Sequence, residues 1–295
     1  MKGKKKKHNG GTSVNSKLLR KPIQRCFLLF LAPTFLAFCI GFIYPFLRGI
    51  YLSFCKFVTI GDASFVGFRN YMDAFKDASF IHAFWYTALY AIVSLFIINV
   101  LAFLIAYLLT LGIKGANLFR TAFFMPNLIG GIVLGYIWSM IFNGVLGKIN
   151  TSILMETRYG FWGLIILMCW QQIGYMMIIY ITGLQAVPGE LIEAAKIDGA
   201  NYINCLFRII IPHMKSVIAV TVSMCIIENF KQYPLFATLT NGGPAGATTT
   251  FAVLSYDEAF VNFNYGSGAA VTTIWLLMMI VVVFIFNKIF KQEEA

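Results

Sequence analysis

Charge is what this chain has least of. Only 12% of its 295 residues are Asp, Glu, Lys or Arg, against 59% that are hydrophobic. With a mean hydropathy of +0.76, it is no ordinary water-soluble domain. Acids are absent ahead of the first long apolar run, where Lys2, Lys4, Lys5, Lys6, Lys7, Lys17, Arg20, Lys21 and Arg25 stand uncompensated. The net charge of +11 therefore reads as a basic tail, residues 1–26, that sets topology and meets anionic lipid. It does not read as a nucleic-acid surface. No Gly-x-x-x-x-Gly-Lys-[Ser/Thr] stretch occurs, since Gly147-Lys148 is followed by Ile149, so the chain has no Walker-type phosphate cradle. His8, His82 and His213 are far apart, and the cysteines (Cys26, Cys39, Cys55, Cys169, Cys205, Cys225) lie mostly in apolar runs without paired spacing. These read as small core residues rather than disulfides or metal ligands. No catalytic, cofactor or metal constellation emerges. The basic start also lacks a small-residue cleavage site at the end of its apolar run, Tyr44-Pro45-Phe46, so that run is expected to be an uncleaved anchor.

What the chain has instead is long apolar runs. Six are long enough to cross a bilayer, which takes about 20 residues each: 27–47, 80–110, 121–142, 161–184, 216–239 and 266–288. Pro33 and Pro45 are expected to bend the first. With the N-terminus inside, the inner segments hold 16 Lys and Arg and the outer ones six. The excess of inner bases puts both termini and the 185–216 segment in the cytoplasm. The predicted class is an all-α integral membrane protein, with a six-helix domain over 27–288 and a short cytoplasmic tail over 289–295.

The 185–216 segment is the longest polar break in the second half. Pro188 suits the first turn of a helix, and Glu190 and Glu193 sit near the positive end of its dipole. Gly199 supplies a permissive turn and Asn201 a cap for a second short helix. Leu206, Ile209 and Ile210 give that helix an apolar side, and Pro212 is expected to help end it. With three acids and three bases between Gln185 and Ser216, it has no footprint for phosphates. The bland alternative is an amphipathic loop lying at the membrane surface.

Glu193, Ala194 and Ala195, then Gly199, Ile209 and Pro212, resemble the EAA loop of binding-protein-dependent ABC importer permeases, most closely the sugar-transport group. Ile211 replaces the usual Leu, and Ser216 stands where many relatives carry a second Pro. Asp198-Gly199-Ala200 resembles the sugar-type version, as do Gly67-Phe68-Arg69-Asn70-Tyr71, the Thr240-Asn241-Gly242-Gly243-Pro244 loop and Tyr265-Gly266. Tyr233-Pro234 departs from the Phe-Asp common there. The resemblance implies a type I ABC importer permease fold and docking of the loop on a cytoplasmic ATPase. It further implies a second homologous permease, two ATPase subunits carrying ATP and Mg, an extracytoplasmic solute-binding protein and a sugar substrate. Gly242, Gly243 and Pro244 would shape the outer mouth as a tight turn.

Polar residues inside apolar runs are the remaining candidates. Gly131 and Gly135 are spaced for close helix packing. Trp170, Gln171 and Gln172 put an aromatic face and two amides at membrane depth, suited either to helix–helix bonding or to a sugar path. Glu228, Asn229, Lys231, Gln232 and Tyr233 interrupt the fifth run just before Pro234. Glu228 and Lys231, three apart, can pair on one helical face, either as a structural ion pair or as a polar lining of the passage. A self-sufficient secondary transporter of a small polar solute is the alternative reading, with Glu228 its one obvious coupling group.

Overall fold

A computed structural model describes residues 31–291. The basic tail 1–26 lies outside the described residues, as does most of the 289–295 tail. Two compact units divide at Tyr51 and Leu52.

The described part of the first unit is helical. The helix α1, Leu31–Ser53, carries a π turn over Cys39–Ile43 in which Tyr44 N–H reaches the Cys39 carbonyl. That widened turn falls directly before Pro45. A proline lacks an N–H and its ring presses on the carbonyl four residues back, here Gly41, and a π turn absorbs the misfit without ending the helix. Phe38, Phe42 and Phe46 stack along one side, with ring centroids 5.2 and 6.1 Å apart.

In the second unit a two-residue hairpin, β1 (Cys55–Lys56) with β2 (Ser64–Phe65), leads into α2 (Arg69–Lys76) and α3 (Ala78–Thr110). Asp77 caps α3 by accepting from Ser79 N–H at 2.8 Å. Then come α4 (Ala116–Phe124), α5 (Gly131–Leu146), α6 (Thr157–Ala186), α7 (Gly189–Ile197) and α8 (Tyr202–His213). The chain closes with α9 (Lys215–Lys231), α10 (Tyr233–Leu239), α11 (Phe251–Tyr256) and α12 (Tyr265–Lys291). Among the described residues, five helices, including α1, α3, α6 and α12, are long and apolar enough to cross a membrane; counting the bent pair α8–α9 as one span makes six.

The core forms around α6, whose apolar window is 72% buried. α3 lies along it through Tyr86, Tyr90, Ser94, Ile98, Ala102 and Ala106, a buried stripe with a strict four-residue step. Small residues at that step let backbones approach closely in lipid, where packing rather than hydrophobicity drives association. Cys169, Cys205 and Cys225 are buried, filling small gaps. A second cluster joins Ala74 of α2, Phe80 and Ala83 of α3, Phe251 of α11 and Val271 of α12.

Two expected spans are not single helices. The third, 121–142, is broken: α4 gives way to a 3-10 turn at Met125–Leu128 with Pro126 in its first turn, then Ile129 and Gly130 are extended before α5 begins. The fifth, 216–239, breaks at Gln232 (φ −79°, ψ 43°), and Pro234 falls in the first turn of the new helix, where its missing N–H is tolerated. The two fragments meet. Gly131 and Gly135 of α5 face Pro234, Leu235 and Thr238 of α10, and a Cβ on Gly135 would overlap the Thr238 hydroxyl. The close approach expected of these glycines is thus made with α10.

Candidate functional site

The EAA-like segment is built from its caps. Pro188 stands one position ahead of α7 as its N-cap, rather than inside the first turn, and Glu190 is the acid in that turn. Glu193 sits a turn further on. At the other end, Gly199 N–H bonds the Lys196 carbonyl at 3.1 Å and Ala200 N–H the Ala195 carbonyl at 2.9 Å. This double closure is the Schellman pattern, which requires a left-handed residue after the helix. Gly199 supplies it at φ +82°. Nothing crowds its α-carbon, so the glycine is required by backbone conformation alone. The Glu-Ala-Ala…Gly spacing is therefore a helix with its stop: Ala195 and Gly199 are the third-from-last residue and the terminator of one turn.

Asn201 then caps α8, its side-chain oxygen accepting from Asn204 N–H at 2.8 Å. A π turn over Leu206–Ile210 again precedes a proline, with Ile211 N–H reaching the Leu206 carbonyl. The helix ends one residue past Pro212, at His213. The chain turns by 72° at Met214 into α9. Cys205 and Ile210 are buried against the body, while Ile209 is half-buried. Facing outward are Glu193, Ala194, Asp198 and Gly199, with Ile197 85% and Tyr202 75% exposed, and Ile203 and Phe207 beside them. Lys196 Nζ lies 5.9 Å from the Tyr202 ring centre. A cavity of about 400 Å³ opens between Lys196, Gly199, Ala200, Asn201, Tyr202 and Cys205.

The Thr240–Pro244 loop lies at the opposite end of α6. Thr248 Oγ1 donates to Thr240 Oγ1 at 2.9 Å and lies 2.7 Å from the Gly243 carbonyl, while Gly243 N–H closes on the Thr240 carbonyl at 2.8 Å. The methyls of Thr240 and Thr248 rest on Gly160, near the start of α6. Gly242 is left-handed at φ +77°. A 30-residue helix is about 45 Å long, so this loop and the EAA-like segment are separated by about that length. Beside the loop, Ser79, His82, Asn241, Asp257, Glu258 and Asn262 line a cleft of about 770 Å³. Partial burial, then the Glu258 charge, raises the Asp257 pKa above the ordinary carboxylate value.

Between these ends lie the remaining candidates. Trp170 is 41% exposed and packs edge-on to Trp138 of α5 at 5.4 Å. Gln171 and Gln172 are buried, and their nearest polar neighbours are the Ile129 carbonyl and the Asn127 amide, both at 3.5 Å. They face the α4–α5 break, whose exposed backbone explains amides at that depth. Asn229 is buried, taking the Ser94 hydroxyl at 2.5 Å and donating to the Cys225 carbonyl at 2.8 Å. Glu228 and Lys231 pair at 3.6 Å, with side chains 31% and 62% exposed. Tyr233 stacks obliquely on Tyr256 at 4.9 Å. Trp170 thus packs on α5, whereas Glu228 and Lys231 pair within α9 and Tyr233 packs on α11.

One functional motif has a role that spacing did not reveal. Asn70 of the Gly-x-x-Asn-Tyr stretch donates its amide to the carbonyls of Ser53 and Cys55 at 2.8 and 2.9 Å, and Tyr71 Oη meets Ser53 Oγ at 2.5 Å. The same Cys55 carbonyl is where a Cβ on Gly266 would collide. Two motifs some 200 residues apart in sequence thus form one clasp at the start of α12.

The helix order defines a membrane permease of the type I ABC importer fold. A chain from the crystal structure of a bacterial ABC transporter involved in import of the acidic polysaccharide alginate superposes with a TM-score of 0.78 at 21% identity, covering 93% of this chain and 98% of that one. A chain of the inward-facing MetNI methionine ABC transporter does so at 0.54 and 16%, covering 72% and 95%. The family model described as "Binding-protein-dependent transport system inner membrane component" matches residues 98–293, and the chain belongs to that family. It is 37% identical over 275 residues to the probable starch degradation products transport system permease protein AmyD of Thermoanaerobacterium thermosulfurigenes, covering 90% of this chain and 94% of the relative. To the arabinooligosaccharides transport system permease protein AraP of Bacillus subtilis it is 31% identical, covering 90% and 89%. As an inner membrane component of a transport system it is not a self-sufficient secondary carrier, and Glu228 is not needed as a coupling group.

Proposed function

We propose that this chain forms half of the translocation path of an ATP-driven importer of a sugar or oligosaccharide, in the plasma membrane. What carries the reading is the EAA-like segment: a capped helix and turn whose outward side chains include Glu193, Ala194, Ile197 and Asp198. A surface so firmly terminated and so apolar at its tip suits docking on another protein better than lying loose in water. The occupant is one of two cytoplasmic ATPase subunits, which bind and hydrolyse ATP with Mg. A second homologous permease completes the path, and an extracytoplasmic solute-binding protein delivers the sugar over the Thr240–Pro244 loop. Both termini are cytoplasmic, in keeping with the excess of inner bases. The similarity to permeases of starch-product and arabinooligosaccharide transport systems supports a carbohydrate cargo.

In mechanism, nucleotide-driven closure of the ATPases moves α7. Because α8 turns by 72° into α9, displacement of the segment is delivered to the helix carrying Asn229 and the break at Gln232. Two packed states, biased by ATP through differential contact, alternate the opening of the path. The test is uptake of labelled oligosaccharide into vesicles holding this chain. Uptake that requires the second permease, the ATPase, the binding protein and ATP fits the reading; uptake by this chain alone, driven by an ion gradient, contradicts it.

A further inference from the structure

The break at Gln232 borders a small cavity with room of about 10 Å³ for the centre of a water molecule. Its lining includes Tyr90 of α3, Asn229 and Phe230 of α9, Thr250 at the entry to α11 and Trp275 of α12. Three polar atoms of that lining, Tyr90 Oη, Thr250 Oγ1 and Trp275 Nε1, are buried and hydrogen-bond to no protein group. Tyr90 is 1% exposed and Thr250 4%. A single such atom is an ordinary imperfection, but three on one small cavity, from three separate elements, are not. Buried polar atoms are penalised unless partnered, and all three share one space in which a partner can sit. An indole N–H only donates, while the two hydroxyls donate or accept. A water molecule can accept from Trp275 and bridge the hydroxyls; it needs two to four polar partners and about one sphere of its own size. A sugar ring is far larger than the space.

We propose that this cavity is a water site, and that its water ties the second and sixth spans to the α11 entry, beside the point where the fifth is broken. Side chains from α3, α12 and the α11 entry converge beside Gln232 without bonding one another, so the tie runs through the solvent molecule. Such a link can be released and remade as the helices shift. A direct side-chain bond fixes one spacing; a bridging water tolerates several. The break at Gln232 then has both a movable backbone and a solvent pin.

Radiolytic footprinting of the full-length chain in the assembled transporter tests this directly. Hydroxyl radicals made from a bound water oxidise its neighbours, so Tyr90, buried as it is, and Trp275 should both be modified on the fast timescale. Tyr180, buried and bonded to Asn99, should stay slow. Labelling of Tyr90 and Trp275 as slow as Tyr180 would overturn the site. Thermal unfolding of Thr250→Val, Tyr90→Phe and the double variant gives a test of sign. If a water bridges them, each single change lowers the midpoint and the double falls by less than the sum. Atoms without partners behave oppositely, since replacing them by apolar isosteres stabilises. An absent, upward or additive shift contradicts the proposal.

Discussion

Ser94 Oγ lies 2.5 Å from Asn229 Oδ1, a bond between buried side chains that joins the second and fifth spans. Asn229 spends its amide on the Cys225 carbonyl one turn back in its own helix, so its oxygen faces α3 by necessity. Hydrogen bonds between membrane helices are worth about 0.6 kcal/mol on average and about 1.7 at most. A double-mutant cycle of Ser94→Ala and Asn229→Leu in detergent should therefore return a coupling of about 0.5–1.7 kcal/mol. A coupling near zero would mean that Asn229 is held by its own helix alone and is available to the path.

Glu228 and Lys231 are expected to compensate one another. Removing one partner leaves an uncompensated charge in a poorly solvated place, whereas removing both leaves none. Glu228→Gln alone and Lys231→Met alone should each reduce the folded permease recovered from membranes more than the double variant does. The 62% exposure of Lys231 limits the size of the effect, because an exposed pair is worth about 0–1 kcal/mol. Losses that simply add would show two independent groups.

Asp257 carries a prediction about pH. Burial, and then Glu258, raises its pKa in the fold, so the folded state holds the proton more tightly than the unfolded one. Stability contributed by this group is fully present below the ordinary carboxylate pKa, about 3.9, and is lost as pH rises through the raised value. Asp257→Asn should thus unfold at a higher temperature than the parent at pH 7, with the difference shrinking at pH 4. A variant less stable than the parent at pH 7 would show that the carboxylate has a stabilising partner there.

The parts read correctly from the sequence are those whose causes are local. Gly199, Asn201 and the Glu-Ala-Ala run announce a helix, its stop and the next cap within ten residues, and each bond that makes them spans at most five positions. Glu228 and Lys231 pair because a helix places i and i+3 side by side. The breaks were harder. Pro126 lies inside an otherwise continuous apolar run, and apolar content cannot distinguish one helix from two fragments with an extended joint. Pro212 is expected to help end its helix, and the helix does stop one residue later, but the π turn before it has no sequence signal, nor has the one before Pro45. Partners distant in sequence were invisible: Gln171 with Ile129, Asn70 with Cys55, and Gly135 with Thr238. None of these pairs has a spacing rule, because each depends on how the spans pack.

Docking through the EAA-like segment is the account's central claim, and Gly199 is where it can be struck without touching the core. Its φ of +82° is a conformation that a β-branched residue resists, and nothing else crowds it. Gly199→Val should cost about 1–3 kcal/mol of local strain, undoing the stop of α7 while the buried helices stay packed. Glu193→Lys attacks the same exposed face by reversing its charge midway along α7. The most direct measurement is recovery of the ATPase with affinity-purified permease, alongside the amount of permease in the membrane. Both variants should reach the membrane at near-normal levels and bring down little ATPase; normal recovery of the ATPase with both would place the docking surface elsewhere.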